Sequence, residues 1–557
     1  MASSNPKDTT TTTTRQPTQR SEIGADLTAF LRSLDPATTL LDISAIESAA
    51  VVPEGLGQHG GLSGSMARIA LTYAPSAAIG GHRPATIICK SNHDSDQSRA
   101  HARAMQLPRE ALFLRAIQTL QVANARGCGG ATPASVSKLV SLMQHHAPTL
   151  VGGLPAIYYA AGDMSAGTKL VLCEDLSLPR EVTVPGDKGA VVSAVGIQSG
   201  WLLGPHSILN RGMADLDKIV RSKGWRVDGD EAEPEKPCVP VSTKELVTRS
   251  FLAAAELHGA FWGKGAEILT SGSEQDGPNE ASSYLRGAKW FLSTQAGSGP
   301  ADAHFAHGKA LYDGSMHLAH ANWAGYKTRL AKHAEEAAAA GTPVKYAIPA
   351  NVASLMDACY PASGAHPPYE QFLEAFGKRP HTLVHGDFHP GNMVVCGAEG
   401  AAAANGDALY RIALIDWEVV GIGSGPQDIG QYMISHFTRE QFEALALPAV
   451  EAYAQKLMGV ISSSSGSSTR KAEDADNAER QLRATIMLEV VVGALGRWAW
   501  LLGIMGGMES ISLAAMAYFN EQVDACMAWA MRSDVADVLG TPRGADELAQ
   551  LVGIARP

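Results

Sequence analysis

The stretch that most limits what this chain can fold into is His385-Gly386-Asp387-Phe388-His389-Pro390-Gly391-Asn392, followed by Ile412-Ala413-Leu414-Ile415-Asp416. Between the two pieces, Met393-Val394-Val395-Cys396 and Tyr410-Arg411-Ile412-Ala413 read as strands joined by a small-residue insertion, 397–407. Two strands with a flexible tip make a hairpin. Such a hairpin sets Asn392 and Asp416 side by side. A strand that stops at an acid aims that carboxylate from a rigid support. Oxygen-bearing side chains from two neighbouring segments suit magnesium, a hard cation that takes few protein ligands. An Asp before Pro-Gly-Asn is, by itself, a turn former. An acid at a strand end is, by itself, a cap or a surface group. The two in this order point to chemistry.

The spacing H-x-D-x-x-x-x-N is that of a kinase catalytic loop, where the Asp accepts a hydroxyl proton and the Asn holds magnesium. His385 to Asn392 resembles the loop H-G-D-x-H-x-x-N of the aminoglycoside phosphotransferase and choline kinase superfamily. Leu414-Ile415-Asp416-Trp417-Glu418 resembles its metal-binding segment, which stands where protein kinases carry D-F-G. The finer detail is most similar to the ecdysteroid kinase-like (CHK kinase-like) branch. The resemblance runs from about Val52 to about Met433. It implies an α+β, two-lobed protein-kinase-like fold. The expected parts are a small β-rich N-lobe over 38–173, a hinge over 174–180, and a larger, mainly helical C-lobe over 181–557. The catalytic loop is 385–392 and the metal segment 414–418. The implied cofactors are ATP and Mg2+, and the implied partner is a small-molecule hydroxyl that accepts the γ-phosphoryl group. Asp387 is then the catalytic base, and Asn392 and Asp416 the metal ligands.

Upstream pieces fall in the matching order. Gly55 to Gly64 crowds glycines ahead of a strand, Met66 to Tyr73, and bare backbone there can approach a phosphate. The resemblance places the phosphate contacts at Gly61, Ser63 and Gly64. Ala85-Thr86-Ile87-Ile88-Cys89-Lys90 is an apolar strand ending in one Lys. Read alone, Lys90 is a solvated strand end; in the kinase reading it holds ATP phosphates. Arg109-Glu110-Ala111-Leu112-Phe113 opens a helix and matches the family's R-E-x-x-F, which implies a Glu110–Lys90 ion pair. Apolar strands are expected over Pro155–Ala160 and Lys169–Cys173. At Glu174-Asp175-Leu176 the family reads adenine through the backbone. His258, on an apolar helical face from Leu246 to Gly263, is expected to be a packed core residue. Asp428 resembles an acid that braces the catalytic loop.

The rest of the chain bounds the alternatives. With 45 Lys and Arg against 56 Asp and Glu, the net charge is −11, which argues against a nucleic-acid partner. Seven scattered cysteines form no C-x-x-C pair and suit a reducing compartment, so a cytoplasmic location is expected. Residues 1–22 are expected to be a disordered tail and 462–480 a disordered loop. The loops 228–240 and 271–283 read as polar insertions. A short helix over Ala25–Leu34 and a strand over Leu40–Ile46 should lead into the N-lobe. Leu482 to Phe519 is apolar but interrupted by Glu489, Arg497 and Glu509, so buried helices are expected, not a membrane anchor. Trp498 and Trp500 suit core packing more than a pocket. A protein kinase should show an A-P-E after its metal segment, and none follows Asp416. A nucleotide-binding pseudokinase scaffold is the other rival.

Overall fold

The structure, a computed structural model, describes residues 26–53, 65–75, 81–127, 143, 153–184, 190–204, 215–228, 236–264, 303–398, 409–435, 437, 439–464 and 472–532. The chain forms two compact units, one of residues 1–118 with 157–174 and one of residues 119–156 with 175–557. The first is β-rich and the second mainly helical, an α+β arrangement of the kinase-like kind.

The first unit is built on five strands: β1 (Ile46–Val51), β2 (Ser65–Tyr73), β3 (Thr86–Ser91), β4 (Ile157–Asp163) and β5 (Thr168–Glu174). They lie in the order β1-β2-β3-β5-β4, every pair antiparallel. Alternation decides the faces: Ala67, Ile69 and Leu71 of β2 and Ile87 and Cys89 of β3 are buried at two-residue spacing. Among the described residues, three helices accompany the sheet: α1 (Leu27–Arg32), α2 (Asp96–Ala104) and α3 (Arg109–Ala125). Sequence reasoning expected one helix within the lobe and did not mark α2, whose N-cap is Ser95. Helix α3 buries Leu112, Phe113, Ile117 and Leu120. Its start crosses β4 at Gly162, where a Cβ would lie 2.7 Å from the Pro108 carbonyl oxygen.

The strand expected over Leu40–Ile46 is corrected. Leu41 makes a single bridge to His82, and Ile43–Ala45 is a 3-10 turn. Asp42 is the cause. Its carboxylate takes Arg83 at 2.7 Å and the Ser44 hydroxyl at 2.8 Å, which bends the chain before β1 can start.

In the second unit, β6 (Pro179–Thr183) pairs with β7 (Val191–Val195). Strand β8 (Ile197–Gln198) later edges a small sheet. Helix α4 (Leu216–Ser222) leads into β9 (Trp225–Val227), which pairs in parallel with β10 (Val239–Val241). Helix α5 (Thr243–Phe261) is capped by Ser242, whose hydroxyl accepts from Glu245 N. After it come α6 (Ala303–Ala339), α7 (Ala350–Cys359) and α8 (Tyr369–Gly377). Strand β11 (Thr382–Val384) pairs with β14 (Gly421–Gly423). Strands β12 (Met393–Gly397) and β13 (Tyr410–Leu414) form the hairpin, with β8 on the outer edge of β12. The unit closes with α9 (Pro426–Ser435), α10 (Leu447–Ser464), α11 (Ala472–Met505) and α12 (Leu513–Ala530). Helix α10 packs on α5, and α11 packs on α9.

The disordered loop expected over 462–480 is corrected at its two ends, and its middle, 465–471, lies outside the described residues. Helix α10 continues to Ser464, and Ala472–Arg480 is already helix α11. The run Ala472-Glu473-Asp474-Ala475-Asp476-Asn477-Ala478-Glu479-Arg480 mixes strong helix formers with first-turn acids, so charge density there marks a helix start. One helical stretch, Asp476–Met505, is long and apolar enough by length and composition to cross a membrane, and 82% of its apolar window is buried inside the protein.

Candidate active site

The second unit gathers the catalytic-loop residues through backbone pairing. Met393 stands opposite Leu414 in the hairpin, and Ile415 N donates to the Asn392 carbonyl at 2.9 Å. Asn392 and Asp416 therefore leave the same end of the hairpin from adjoining strands. Pro390–Asn392 forms a 3-10 turn held from three sides. His389 Nδ1 accepts from Gly391 N at 3.0 Å. Gln198 Nε2 donates to the Gly391 carbonyl at 2.9 Å, and the Ser199 hydroxyl to the Pro390 carbonyl at 3.0 Å. Phe388, 1% exposed, anchors the loop against Tyr432.

Asp428 braces the start of the loop. Its Oδ2 accepts from His385 N at 2.8 Å and its Oδ1 from Gly386 N at 3.1 Å. It lies in the first turn of α9, and Gln431, three residues on, shares its face. His258 is fully buried, with Nδ1 2.8 Å from the Tyr453 hydroxyl and Nε2 3.4 Å from Asp428, so it supports the brace.

His385 ties the two motif segments together. Its Nε2 donates to the Ile415 carbonyl at 2.9 Å, and its Nδ1 accepts from Asp387 N at 3.3 Å. Those bonds require a neutral ring with the proton on Nε2. Burial pushes its pKa below the usual value, against the pull of the Asp428 and Asp387 carboxylates. The pH dependence follows. An unfolded chain takes up a proton here at a pKa of about 6.5, and the folded chain resists it. Stability from this group is complete above that pH. It declines as pH falls toward the lower folded-state pKa, at up to about 1.4 kcal/mol per pH unit. Urea midpoints measured between pH 8 and pH 5 should show that slope, and His385→Gln should flatten it.

Asp387 is the hub. Oδ2 accepts from Asn392 Nδ2 at 3.1 Å and lies 3.5 Å from His389 Nε2. Oδ1 accepts from Gln431 Nε2 at 2.5 Å and lies 3.5 Å from Arg497 Nη2. Burial alone would raise its pKa. The hydrogen bond from His389 and the nearby Arg497 guanidinium outweigh it and hold the carboxyl well below the usual range. The side chain keeps 35% exposure, so an ionised acceptor of protons remains within reach of a ligand. Asn392 Nδ2 also donates to the Asp387 carbonyl at 3.0 Å, which turns its Oδ1 away as an oxygen donor. Asp416 has φ +63°, left-handed for a non-glycine residue. Such a conformation costs about 1–2 kcal/mol in general and is borne best by Asn and Asp. The peptide before it is fixed by His385, and Trp417 packs on the His385 ring at 4.5 Å. With Asn392 Oδ1, the Asp416 carboxylate makes a hard oxygen donor set that fits magnesium.

The first unit holds a separate charge cluster. Lys90 Nζ donates to Glu110 Oε1 at 2.8 Å. Lys169 Nζ donates to Glu110 Oε2 at 2.5 Å and is fully buried. Register explains the convergence: Lys90 pairs with Val171, and Lys169, two residues along β5, emerges on the same face. Glu110, near the start of α3, is 2% exposed. Lys169→Met removes one of its ammonium partners. Breaking a buried pair generally costs about 3–5 kcal/mol. Chemical denaturation should show a loss of that order; a change below about 1 kcal/mol would mean Glu110 is satisfied without Lys169.

The remaining sequence-derived positions are these. Gly61, Ser63 and Gly64 lie outside the described residues, as do loops 271–283 and most of 228–240. Glu174 ends β5. Asp175 is buried, and its Oδ1 accepts from Ser177 N and hydroxyl, so its side chain shapes a turn. Leu176 is buried against Cys396 and Ala413. Sequence reasoning missed Lys169, Gln431 and Arg497. A Lys at the head of the apolar run Lys169–Cys173 and a lone Arg in the apolar half of α11 were the available signals.

A comparison of the chain with curated proteins finds no match. Residues 295–461 match the model of the phosphotransferase enzyme family, a span that contains Asp387, Asn392, Asp416, Asp428 and Gln431 and stops short of Arg497.

Proposed function

We propose that this chain is an ATP-dependent phosphotransferase that moves the γ-phosphoryl group to a hydroxyl of a small molecule. The observation that carries the reading is Asp387: ionised, reachable, and held between Asn392 on one oxygen and Gln431 on the other. An acceptor hydroxyl set on that carboxylate is oriented for attack. Its oxygen bonds to the γ-phosphorus, the bond to the bridging oxygen of ADP breaks, and the hydroxyl proton passes to Asp387 and then to solvent. Asn392 and Asp416 would hold magnesium, which when bound neutralises phosphate charge. Lys90, steadied by Glu110, binds nucleotide phosphates. Within the class, Arg109-Glu110-Ala111-Leu112-Phe113 favours the ecdysteroid kinase-like branch.

A small acceptor is favoured over a protein by the path after Asp416. The chain reaches β14 at Gly421 and re-enters a helix at Pro426, which leaves no room for an activation segment. The test is calorimetry of Mg–ATP binding, followed by ADP release from a panel of small hydroxyl compounds. Binding with acceptor-dependent ADP release is expected. Absence of Mg–ATP binding would end this reading.

A further inference from the structure

Arg497 lies in the apolar half of α11 and is 14% exposed. Its guanidinium carbon stands 4.9 Å from the centroid of the Trp500 ring, and Nη2 stands 3.5 Å from Asp387 Oδ1. That distance is a charge contact at the edge of hydrogen bonding. Its Nε is buried and has no hydrogen-bond acceptor among the described residues. A planar fork of five donors is thus held by an aromatic face beside the reacting carboxylate, with little of its hydrogen-bonding capacity spent.

Glu489, the one acid in the apolar half of the same helix, does not answer this charge. Glu489 is committed to Arg379 at 3.2 Å, to the Ser424 hydroxyl at 2.6 Å and to Gln427 at 3.4 Å. Asp387 itself has two sides. Oδ2 faces Asn392, the side of the candidate metal ligands, and Oδ1 faces Gln431 and Arg497. Arg497 therefore marks the side from which an acceptor would reach Asp387.

We propose that Arg497, Gln431 and Trp500 form the acceptor subsite, and that the acceptor carries an acidic group, a carboxylate or phosphate, near the hydroxyl that is phosphorylated. The proposal rests on the phosphotransferase reading above. A guanidinium fork takes either group in bidentate fashion, and the Trp500 ring flanks the ligand's carbon frame. A polycationic aminoglycoside or a quaternary amine would meet like charge next to Asp387, whose own charge Arg497 already offsets.

The experiment uses the full chain with Mg–ATP and a matched panel: glycerate and glycerol 3-phosphate, neutral glycerol, and cationic ethanolamine, choline and kanamycin. Acidic members should raise ADP release above glycerol, and cationic members should not. Arg497→Gln should lower kcat/KM for the best acidic acceptor by roughly 10²-fold, chiefly through KM, and by far more than it lowers kcat/KM for glycerol. Arg497→Lys, which keeps charge but loses the fork, should fall between. Three results would overturn the subsite: cationic acceptors used as well as acidic ones; neutral glycerol used as well as acidic ones; or an equal fall in kcat for every acceptor with KM unchanged, which would put Arg497 on the transferring phosphoryl group or on Asp387 alone. If Arg497→Gln fails to fold, the wild-type panel decides by itself. Loss of the proposal is distinguishable from loss of the phosphotransferase reading: in the first case Mg–ATP still binds and some other acceptor is phosphorylated, and in the second Mg–ATP does not bind.

Discussion

Asp387→Asn should slow phosphoryl transfer by roughly 10²–10⁴-fold, the usual worth of a positioned general base, and leave Mg–ATP affinity within a few-fold of wild type. The amide has the same shape as the carboxylate. It can still accept a hydrogen bond from Gln431 or Asn392, so the loop keeps its geometry. What it loses is basicity and the charge contact with Arg497. The transition state is largely dissociative, so the acceptor proton leaves late and the main loss is orientation of the hydroxyl. Single-turnover rates and calorimetry on the same preparation separate the two quantities. A loss of Mg–ATP affinity as large as that of the Asp416 variant would make Asp387 a metal ligand and redraw the division of roles.

The Asp416→Asn variant should fail differently. Asn tolerates the left-handed backbone at φ +63° as Asp does, so the fold should survive. The lost carboxylate is the one charged member of the donor pair that Asp416 makes with Asn392. Even partners one layer outside a metal's ligands are worth 10–100-fold in affinity, so apparent magnesium affinity should weaken by at least about 10²-fold. Turnover should fall with it, because charge neutralisation dominates this chemistry. Asp416→Ala should add a stability loss that Asp416→Asn lacks, since Ala resists that backbone conformation. Near-normal turnover at ordinary magnesium in Asp416→Asn would remove Asp416 from the metal site.

The sequence made the local architecture of this site readable because it depends on short-range rules. Period-two alternation located β2, short apolar runs located β3, β12 and β13, and the H-x-D-x-x-x-x-N spacing located the loop. Asp428 and His258 were legible in role because one braces and the other packs, and both lie in strongly patterned helices. The partners that arrive from far along the chain were not legible. Arg497 is over a hundred residues from Asp387, and in sequence it looked like an interruption of an apolar run. Lys169 needed the β3–β5 register, which no single strand specifies. The strand expected at Leu40 failed because Asp42 spends its carboxylate on Ser44 and Arg83, a tertiary contact that overrides strand propensity.

The hairpin that carries the motif is closed by pairing from Met393↔Leu414 to Gly397↔Tyr410, with the candidate site residues Asn392 and Asp416 just outside the first of those pairs and the connecting segment beyond the last. Its connection can therefore change length without disturbing the register that aligns Asn392 with Asp416. In general, each doubling of loop length costs only about 0.6 kcal/mol in closure entropy. That makes the segment between Ala398 and Leu409 a place where a fluorescent reporter or affinity peptide can be spliced into the chain with the enzyme's chemistry intact.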